Sequence, residues 1–115
     1  MNRNRIFICS PYAGDIENNA ALARALCAKA IDEGFAPFAP HLLYPDILGG
    51  DEPPKRDTGI ECGLAFLECC SEVWIPTDGV TSVGMEHEIK QAKMLGLPIR
   101  QVQLKQVQLR YDTQS

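Results

Sequence analysis

The apolar positions of this chain fall into short continuous runs, separated by longer segments with helical spacing. The runs predict four buried strands, at residues 5–10, 35–39, 73–75 and 98–104. The segments between them predict three helices, whose N-terminal caps would be Asp15, Thr58 and Ser82. Strands that alternate with helices predict an α/β fold, a three-layer α/β/α sandwich of the flavodoxin-like or Rossmann-like type with a parallel sheet of four or five strands.

A long connection rich in proline follows the second predicted strand. Residues 40–56 contain four prolines and two glycines, and a loop of this length in a compact domain is usually functional. Its large apolar residues predict that part of it packs down as a lid or contacts a partner; they are Leu42, Leu43, Tyr44, Ile47 and Leu48. Because Pro37 removes one hydrogen-bond donor, we expect the strand before this connection at an edge of the sheet.

The composition is that of a globular chain. With 115 residues, of which 45% are hydrophobic and 23% charged, the chain is expected to form a single domain over residues 1–115. It has neither the run of roughly 18 apolar residues that a membrane span needs nor a signal peptide, so we expect no membrane partner and a cytoplasmic location. The tail at 101–115 repeats a pattern whose side-chain parity flips, and we expect it to be extended or to contact a partner.

The charge distribution excludes one large class of partner. Residues 1–89 carry six basic and fourteen acidic side chains, and residues 57–88 contain seven acids and no lysine or arginine. Such a surface repels polyanions, whereas proteins that bind nucleic acids carry clustered basic residues. We therefore expect no nucleic-acid polymer as a partner.

The five cysteines give no indication of a metal or a disulfide framework. They form an odd set without a CxxC pair, and the adjacent Cys69 and Cys70 would point about 100° apart on a helix. Small buried apolar residues in a reducing compartment explain them. The sequence accordingly predicts no metal and no cofactor.

Three segments should converge at the carboxyl edge of the predicted sheet, where ligands bind in open parallel sheets. They are residues 10–15, 40–45 and 77–82, and the helix that begins after Ser82 adds free N–H groups and a positive dipole end. This convergence places Tyr12 and Asp78 at the edge. The expected substrate-binding residues are Ser10, Gly14, Asp15, His41, Ser82, Gly84 and Met85.

One carboxylate in the last helix has an unusual position. Helical spacing puts Glu88 beside the apolar residues Ile89 and Ala92, whereas Glu86 lies about 200° away on the solvent face. A carboxylate at the margin of an apolar face costs free energy unless it has a partner or a use. Glu88 is therefore the first candidate for chemistry.

Several strings in this sequence resemble the nucleoside 2-deoxyribosyltransferase-like superfamily, most closely a small uncharacterised branch from bacteria and phages. They are IFICSPYAGDIENN, APHLLYPDIL, CSEVWIPTDGVTSVGMEHEI and KQAKMLGLPI, and the resemblance covers about residues 5–100. The most specific element is Ser82-x-Gly84-Met85-x-x-Glu88. The resemblance implies that Glu88 is a nucleophile toward the anomeric carbon of the sugar. It also implies that Ser82 touches the sugar or its 5′ group and that Tyr12 orients the Glu88 carboxylate.

This chemistry fits the residue types. Breaking an N-glycosidic bond passes through an oxocarbenium-like state, which a carboxylate stabilises or traps. A further acid helps the base to leave, and Asp78 is the first candidate for it, followed by Asp57 and Glu61. The sequence departs from active deoxyribosyltransferases in two ways. Their aspartate on the helix before the third strand falls here on residues 62–64, and no basic residue stands near Ser82 in the sequence.

Three functions remain open on the sequence alone. The leading one is processing of an N-glycosidic bond in a nucleoside or nucleotide, by transfer or hydrolysis. The second is binding or sequestering, without turnover, of a nucleotide-derived metabolite such as an ADP-ribose-like compound. The third is an oligomeric module without a ligand. Because neighbouring subunits complete each pocket in the resembling families, and residues 58–70 are rich in apolar side chains, we expect a homodimer or a higher homo-oligomer.

Overall fold

The computed structural model describes residues 2–77 and 81–103, in which strands and helices alternate. The elements are β1 (Arg5–Ile8), α1 (Ile16–Asp32), β2 (Ala36–Phe38), α2 (Tyr44–Leu48), α3 (Pro53–Leu67), β3 (Glu72–Pro76), α4 (Val83–Met94) and β4 (Ile99–Val102). A 3-10 turn, Pro40–Leu42, lies between β2 and α2. Asp78 and most of the predicted tail, residues 104–115, lie outside the described residues.

The four strands form one parallel sheet in the order β2-β1-β3-β4. Phe7 of β1 is paired with Phe38 of β2 on one side and with Val73 of β3 on the other. The parallel sheet and the edge position of β2 are both confirmed. The edge suits Pro37, because a ring nitrogen cannot donate to a strand on a second side.

The sheet is covered on both faces, which confirms the three-layer architecture. Alternate residues of β1 point to opposite faces, as in any strand. One face packs against α1 and buries the cluster Ile6, Ile8, Leu26, Ala30, Trp74 and Val102. The other face packs against α3 and α4 and buries Phe7, Cys9, Leu67, Cys70, Val73, Met85 and Ala92.

Helix α1 begins and ends where the sequence predicts. The Asp15 side chain accepts a hydrogen bond from the Asn18 N–H at 3.2 Å, which satisfies one of the free donors at the helix start. At the other end, Gly34 has a φ of +94°, a backbone conformation that strongly favours glycine. The Phe35 N–H then returns to the Ala30 carbonyl at 2.9 Å and closes the helix end.

The prediction that a capping box opens the next helix at Thr58 is wrong. Helix α3 begins five residues earlier, at Pro53, and the Thr58 hydroxyl donates to the Pro54 carbonyl at 3.1 Å inside the helix. Two prolines fit the first two helical positions because the N–H groups there would have no partner within the helix. Residues 53–58 therefore belong to the first turns of α3, whereas the capping-box prediction left them outside the helix.

The connection that was expected to be a long loop is largely ordered into short elements that pack on α3. A Cβ atom at Gly63 would lie 3.3 Å from Cβ of Pro40, and one at Gly59 would lie 3.5 Å from Cβ of Tyr44. The two glycines sit one turn apart on α3, so they let the 3-10 turn and α2 approach its backbone closely. The predicted packing is confirmed for Tyr44 and Leu48, whereas Leu43 and Ile47 remain exposed.

Two further expectations have mixed outcomes. Trp74 is fully buried, but of the cysteines only Cys9 and Cys70 are buried and Cys69 is exposed, so the expectation that all five cysteines are buried was wrong.

Among the residues that the structure describes, no group of three His, Cys, Asp or Glu side chains could hold a metal ion. Within the same residues, no helix has the length and apolar character that crossing a membrane requires.

The two glycines of α3 give a matched pair of stability predictions. Gly59→Ala should raise the free energy of unfolding by up to about 1 kcal/mol, because alanine favours a helix and its methyl group meets Tyr44 at ordinary contact distance. Gly63→Ala should gain less or destabilise, because the methyl group would press on the buried ring of Pro40. Urea denaturation of both variants checks this. Equal stabilisation by the two substitutions would contradict the packing at Gly63.

Candidate functional site

A cavity of about 180 Å³ opens at the carboxyl edge of the sheet. The loop after β1 contributes Tyr12 and Ala13, the 3-10 turn contributes His41, and α4 contributes Ser82 and its first turns. Residues from α2 and α3 complete the wall. The convergence of the three loops at this edge, which the sequence predicts, brings Tyr12, His41, Ser82, Gly84 and Glu88 to one cavity; that they act on a substrate stays a prediction.

Glu88 is the buried carboxylate of this cavity. Its side chain is 1% exposed, and its Oε1 atom has no hydrogen-bond partner within the described residues. Burial raises the pKa of Glu88 to about 7, and the neighbouring thiol of Cys9 acts in the opposite direction. Glu86, on the same helix, is exposed, as helical spacing predicts. Glu88 is thus poised to change its charge near neutral pH.

Cys9 is a buried neighbour of the Glu88 carboxylate. It lies just beyond β1 on the face that packs against α4, and its Sγ atom is 3.8 Å from the Met85 carbonyl oxygen. Burial, and then the nearby charge of Glu88, raise the pKa of Cys9 far above its ordinary value. The thiol therefore stays protonated, and it donates to the Met85 carbonyl oxygen next to the Glu88 carboxylate.

His41 forms the opposite wall. Burial lowers the pKa of its imidazole, while the Ser10 carbonyl and the negative charge of Asp51 partly oppose the shift. The Tyr12 ring lies beside it, with 5.8 Å between ring centroids, and its Nε2 atom faces the start of α4 at Gly84. A neutral imidazole has one donor and one acceptor, so His41 can offer either to a ligand.

Three buried polar atoms lack a hydrogen-bond partner within the described residues, and all belong to this region. They are Oγ of Ser10, Nδ1 of His41 and Oε1 of Glu88. Buried polar groups in proteins are nearly always paired, and an unpaired one calls for water, an ion or a ligand. Their concentration at the end of β1, in the 3-10 turn and on α4 makes this edge the candidate binding site.

The Tyr12 loop is held by a residue that the sequence analysis did not single out. The side-chain amide of Asn19, on α1, donates to the backbone carbonyls of Tyr12 and Ala13, both at 3.0 Å. Tyr12 makes no hydrogen bond to Glu88 in the structure; its ring lies against His41 instead. The orienting role expected for Tyr12 therefore stays a prediction for the ligand-bound protein.

The start of α4 faces the cavity as predicted. The Ser82 hydroxyl caps the helix by accepting from the Met85 N–H at 3.2 Å. Val83 and Gly84 both line the cavity, and their N–H groups belong to the first turn, where helices have no internal acceptor. This end of α4 presents a positive dipole toward the ligand space.

Most of the wall built by α2, α3 and the segment between them was not predicted from the sequence. Tyr44 and Pro45 belong to the predicted segment 40–45, whereas the residues not predicted are Leu48, Gly50, Asp51, Lys55, Arg56, Gly59 and Ile60. The signal was present, because Lys55 and Gly59, like Arg56 and Ile60, are four residues apart and share a helix face once the helix begins at Pro53. The expected absence of a basic residue near Ser82 is wrong in three dimensions, since Lys55 and Arg56 line the same cavity.

Several predicted site residues do not line the cavity. Gly14 and Asp15 are exposed, and Asp15 is used as the cap of α1. Met85 is buried in the core under α4, and Ser10 is buried beneath His41. Asp78 lies outside the described residues. The two reserve candidates for an acid, Asp57 and Glu61, are exposed on α3 and are absent from the cavity wall.

Comparison with known proteins agrees with this architecture. Residues 4–102 match a family described as a domain of unknown function, DUF7768. No curated protein matches the sequence. A 2-deoxyribosyltransferase from Bacillus psychrosaccharolyticus, described as a biocatalyst for nucleoside synthesis, is similar in structure: the TM-score is 0.64 and the identity 15%, over 87% of this chain and 72% of that one.

A 2-deoxyribosyltransferase from Leishmania mexicana is similar as well, with a TM-score of 0.59 and 16% identity over 89% of this chain. This chain spans 65% of the length of that protein. At such low identity the likeness shows a common fold. The predicted relationship to the deoxyribosyltransferase-like superfamily is therefore confirmed for the fold, and no particular branch is indicated.

The burial of Glu88 predicts a specific dependence of stability on pH. Its pKa is about 7 when the chain is folded and near 4.5 when it is unfolded, so between these values the folded state keeps a proton that the unfolded state has lost. The free energy of unfolding should fall as pH rises from 4.5 through 7, by about 3 kcal/mol in total from this group. Glu88→Gln cannot ionise and should lack this fall.

Urea denaturation of wild type and Glu88→Gln at pH 5 and pH 8 measures this difference. Glu86→Gln, which removes an exposed carboxylate from the same helix, is the control and should follow the wild type. Parallel pH curves for wild type and Glu88→Gln would show that the burial of Glu88 carries no such cost.

Proposed function

Because this chain belongs to the DUF7768 family, whose description states no activity, we propose its function from the site itself: it cleaves or transfers at the N-glycosidic bond of a nucleoside-like or nucleotide-like compound. The observation that carries the proposal is Glu88, a carboxylate that is 1% exposed and has an unpaired oxygen at the wall of a ligand-sized cavity. Keeping such a group buried costs stability, and function is the usual reason for that cost.

The proposed reaction uses Glu88 as the nucleophile. A Glu88 oxygen bonds to the anomeric carbon while the bond from that carbon to the base nitrogen breaks, and the electron pair stays on the nitrogen. The leaving base takes a proton from an acid. Water or a second base then attacks the anomeric carbon, loses a proton and releases Glu88. With a pKa of about 7, a substantial fraction of Glu88 is ionised at neutral pH.

Two 2-deoxyribosyltransferases with the same fold support this class of substrate. One of them is described for the synthesis of nucleosides. The position of the cavity is also appropriate, because ligands of open parallel sheets bind beyond the carboxyl ends of the strands. The identity is low, so the residue roles in this chain rest on its own geometry.

The leaving base needs an acid that protonates it. Asp78 is the sequence-based candidate and stays a prediction. His41 and Asp51 line the cavity, and burial lowers the pKa of His41, so its imidazole is neutral at neutral pH. Tyr12 keeps its proposed role of orienting Glu88 once a sugar fills the space between them.

Binding without cleavage is the second candidate function, and one observation favours it. The register at which deoxyribosyltransferases carry an aspartate is occupied here by residues 62–64, and Gly63 is packed against Pro40 in the core. If no other acid serves the leaving base, the cavity would hold or sequester a nucleotide-derived metabolite. Glu88 would then contact a sugar hydroxyl.

Base release from nucleosides and nucleotides, followed by chromatography, tests the proposal. Glu88→Gln should abolish release, because the amide keeps the shape but cannot bond to the anomeric carbon; losing a covalent nucleophile costs about 5 kcal/mol or more in the barrier. Tyr12→Phe should fall between that variant and the wild type. Glu86→Gln, the matched exposed control, should change the rate by less than about threefold.

Three results are informative against this scheme. Release by Glu88→Gln at the wild-type rate would refute the nucleophile. Tight binding of nucleotides by the wild type without any cleavage would establish the sequestering function instead. Unchanged binding in Glu88→Gln, Ser82→Ala and Tyr12→Phe together would move the ligand site elsewhere.

Self-association is proposed as well, through α2 and α3. Leu43, Ile47 and Phe66 are large apolar side chains that stay exposed on this side of the molecule. Covering them in an isologous dimer would remove apolar surface from water.

Light scattering at micromolar concentration should give a mass that is a multiple of 12.7 kDa. Ile47→Glu should reduce it to 12.7 kDa, because a charge cannot be buried unpaired in an apolar contact. Met94→Glu, at an equally exposed position on α4, should not. A wild type that already has the single-chain mass would contradict the proposal.

A further inference from the structure

We propose that Lys55 and Arg56 recognise an anionic group at the mouth of the cavity, so that the site prefers a phosphorylated base–sugar compound over the neutral nucleoside. Both residues line the cavity that contains Glu88. The inference deepens the proposed function by naming the substrate class. It concerns binding, so it can be tested without any turnover.

The position of the two cations follows from the direction of the helices. Helix α3 follows α2 and leads into β3, so it runs back toward the edge where β3 begins, as α4 does before β4, and both helices begin on the side of the carboxyl edge. Ile60 of α3 reaches the first turn of α4, where its Cδ1 atom lies 3.7 Å from the Cβ position of Gly84. Lys55 and Arg56 are about one turn of α3 above this contact, hence at the mouth.

Glu88 occupies the other end of the cavity. It lies four residues after Gly84, about one turn deeper along α4. A ligand whose sugar reaches the unpaired Glu88 oxygen therefore has its outer part between the start of α4 and the two cations of α3. The N–H groups of Val83 and Gly84 face the same space and add donors for an anion.

The ion pairs of the two cations leave them available. Lys55 contacts Glu52 at 3.2 Å and donates to the Gly49 carbonyl at 3.4 Å, and Arg56 contacts Asp51 at 3.3 Å through Nε. Both cationic side chains are 41% exposed, and ion pairs of this kind contribute little to stability. Within residues 2–77 and 81–103, the terminal amino groups of Arg56 have no hydrogen-bond partner, so Arg56 can keep Asp51 and still bind a phosphate.

The surrounding charge makes this pair selective. The chain carries a formal charge of −4, and residues 57–88 contain no lysine or arginine, so most of this region repels phosphates. Lys55 and Arg56 are adjacent cations on the cavity wall, which also includes the first turn of α4 with its positive dipole end. The acids of that wall are Asp51, which pairs with Arg56, and Glu88. A phosphorylated ligand would thus be attracted to this cavity and not to the surface in general.

Isothermal titration calorimetry tests the proposal on the unmodified protein first. A 2′-deoxynucleoside, its 5′-monophosphate, its 3′-monophosphate and ribose 5-phosphate are compared, with inorganic phosphate as a competitor. At least one nucleoside monophosphate should bind about tenfold or more tightly than the nucleoside, because hydrogen bonds to charged groups are strong, and the advantage should shrink as salt is raised. The two monophosphates distinguish which end of the sugar faces the cations.

Charge-removing variants then assign the preference to the two residues. Replacing both, Lys55→Gln with Arg56→Gln, should bring the ratio of the two affinities, for the monophosphate and for the nucleoside, close to one. Lys90→Gln, which removes an exposed lysine on α4 away from the cavity, should keep the full ratio. Circular dichroism verifies that the variants are folded.

Equal affinity of the wild type for the nucleoside and for both monophosphates would overturn the proposal, as would a full ratio in the folded double variant. Failure of the proposed reaction looks different. A protein that prefers phosphorylated ligands through Lys55 and Arg56 but never releases a base supports the anion site and refutes the glycosidic chemistry.

Discussion

Parallel pairing of β1 with β2 on one side and with β3 on the other places the loops that follow these strands at one edge of the sheet. That constraint brings Tyr12, His41 and Ser82 together although they are far apart in the sequence. It also sets the direction of α3 and α4, which must return to the opposite edge before the next strand begins. Both helices therefore start beside the cavity, with their first turns available to a ligand.

The position of Glu88 links the packing of α4 on the sheet to the chemistry of the cavity. Its helix has to bury Met85 and Ala92 against the sheet, and the turn between them takes Glu88 into the same interior. Removing the Glu88 carboxylate from water costs free energy. The neighbouring Cys9 thiol, at the end of β1, offsets only part of that cost. The packing that holds α4 in place thus also produces a group whose protonation changes near neutral pH.

The wall formed by α2 and α3 adds two cationic side chains, Lys55 and Arg56, to the cavity that contains Glu88. Proline at the first two positions lets α3 begin early, and glycine at positions 59 and 63 lets α2 and the 3-10 turn pack closely on it. Because of this close packing, Lys55 and Arg56 line the same cavity as the start of α4. A cavity with a buried acid at its floor and cations at its mouth suits a ligand that is polar at one end and anionic at the other.

Local patterns in the sequence determined the strands, the caps at Asp15 and Ser82, and the position of Glu88 at the margin of the apolar face of its helix, because apolar spacing and capping chemistry depend on neighbours within a turn or two. The full burial of Glu88 was decided by the packing of α4 on the sheet. The parallel sheet also followed from the order of the elements. The early start of α3 was hidden, since a capping-box pattern at Thr58 competed with two prolines upstream. Only the tertiary structure placed Lys55 and Arg56 in the same cavity as Ser82, because contact between helices that are distant in sequence is decided by packing.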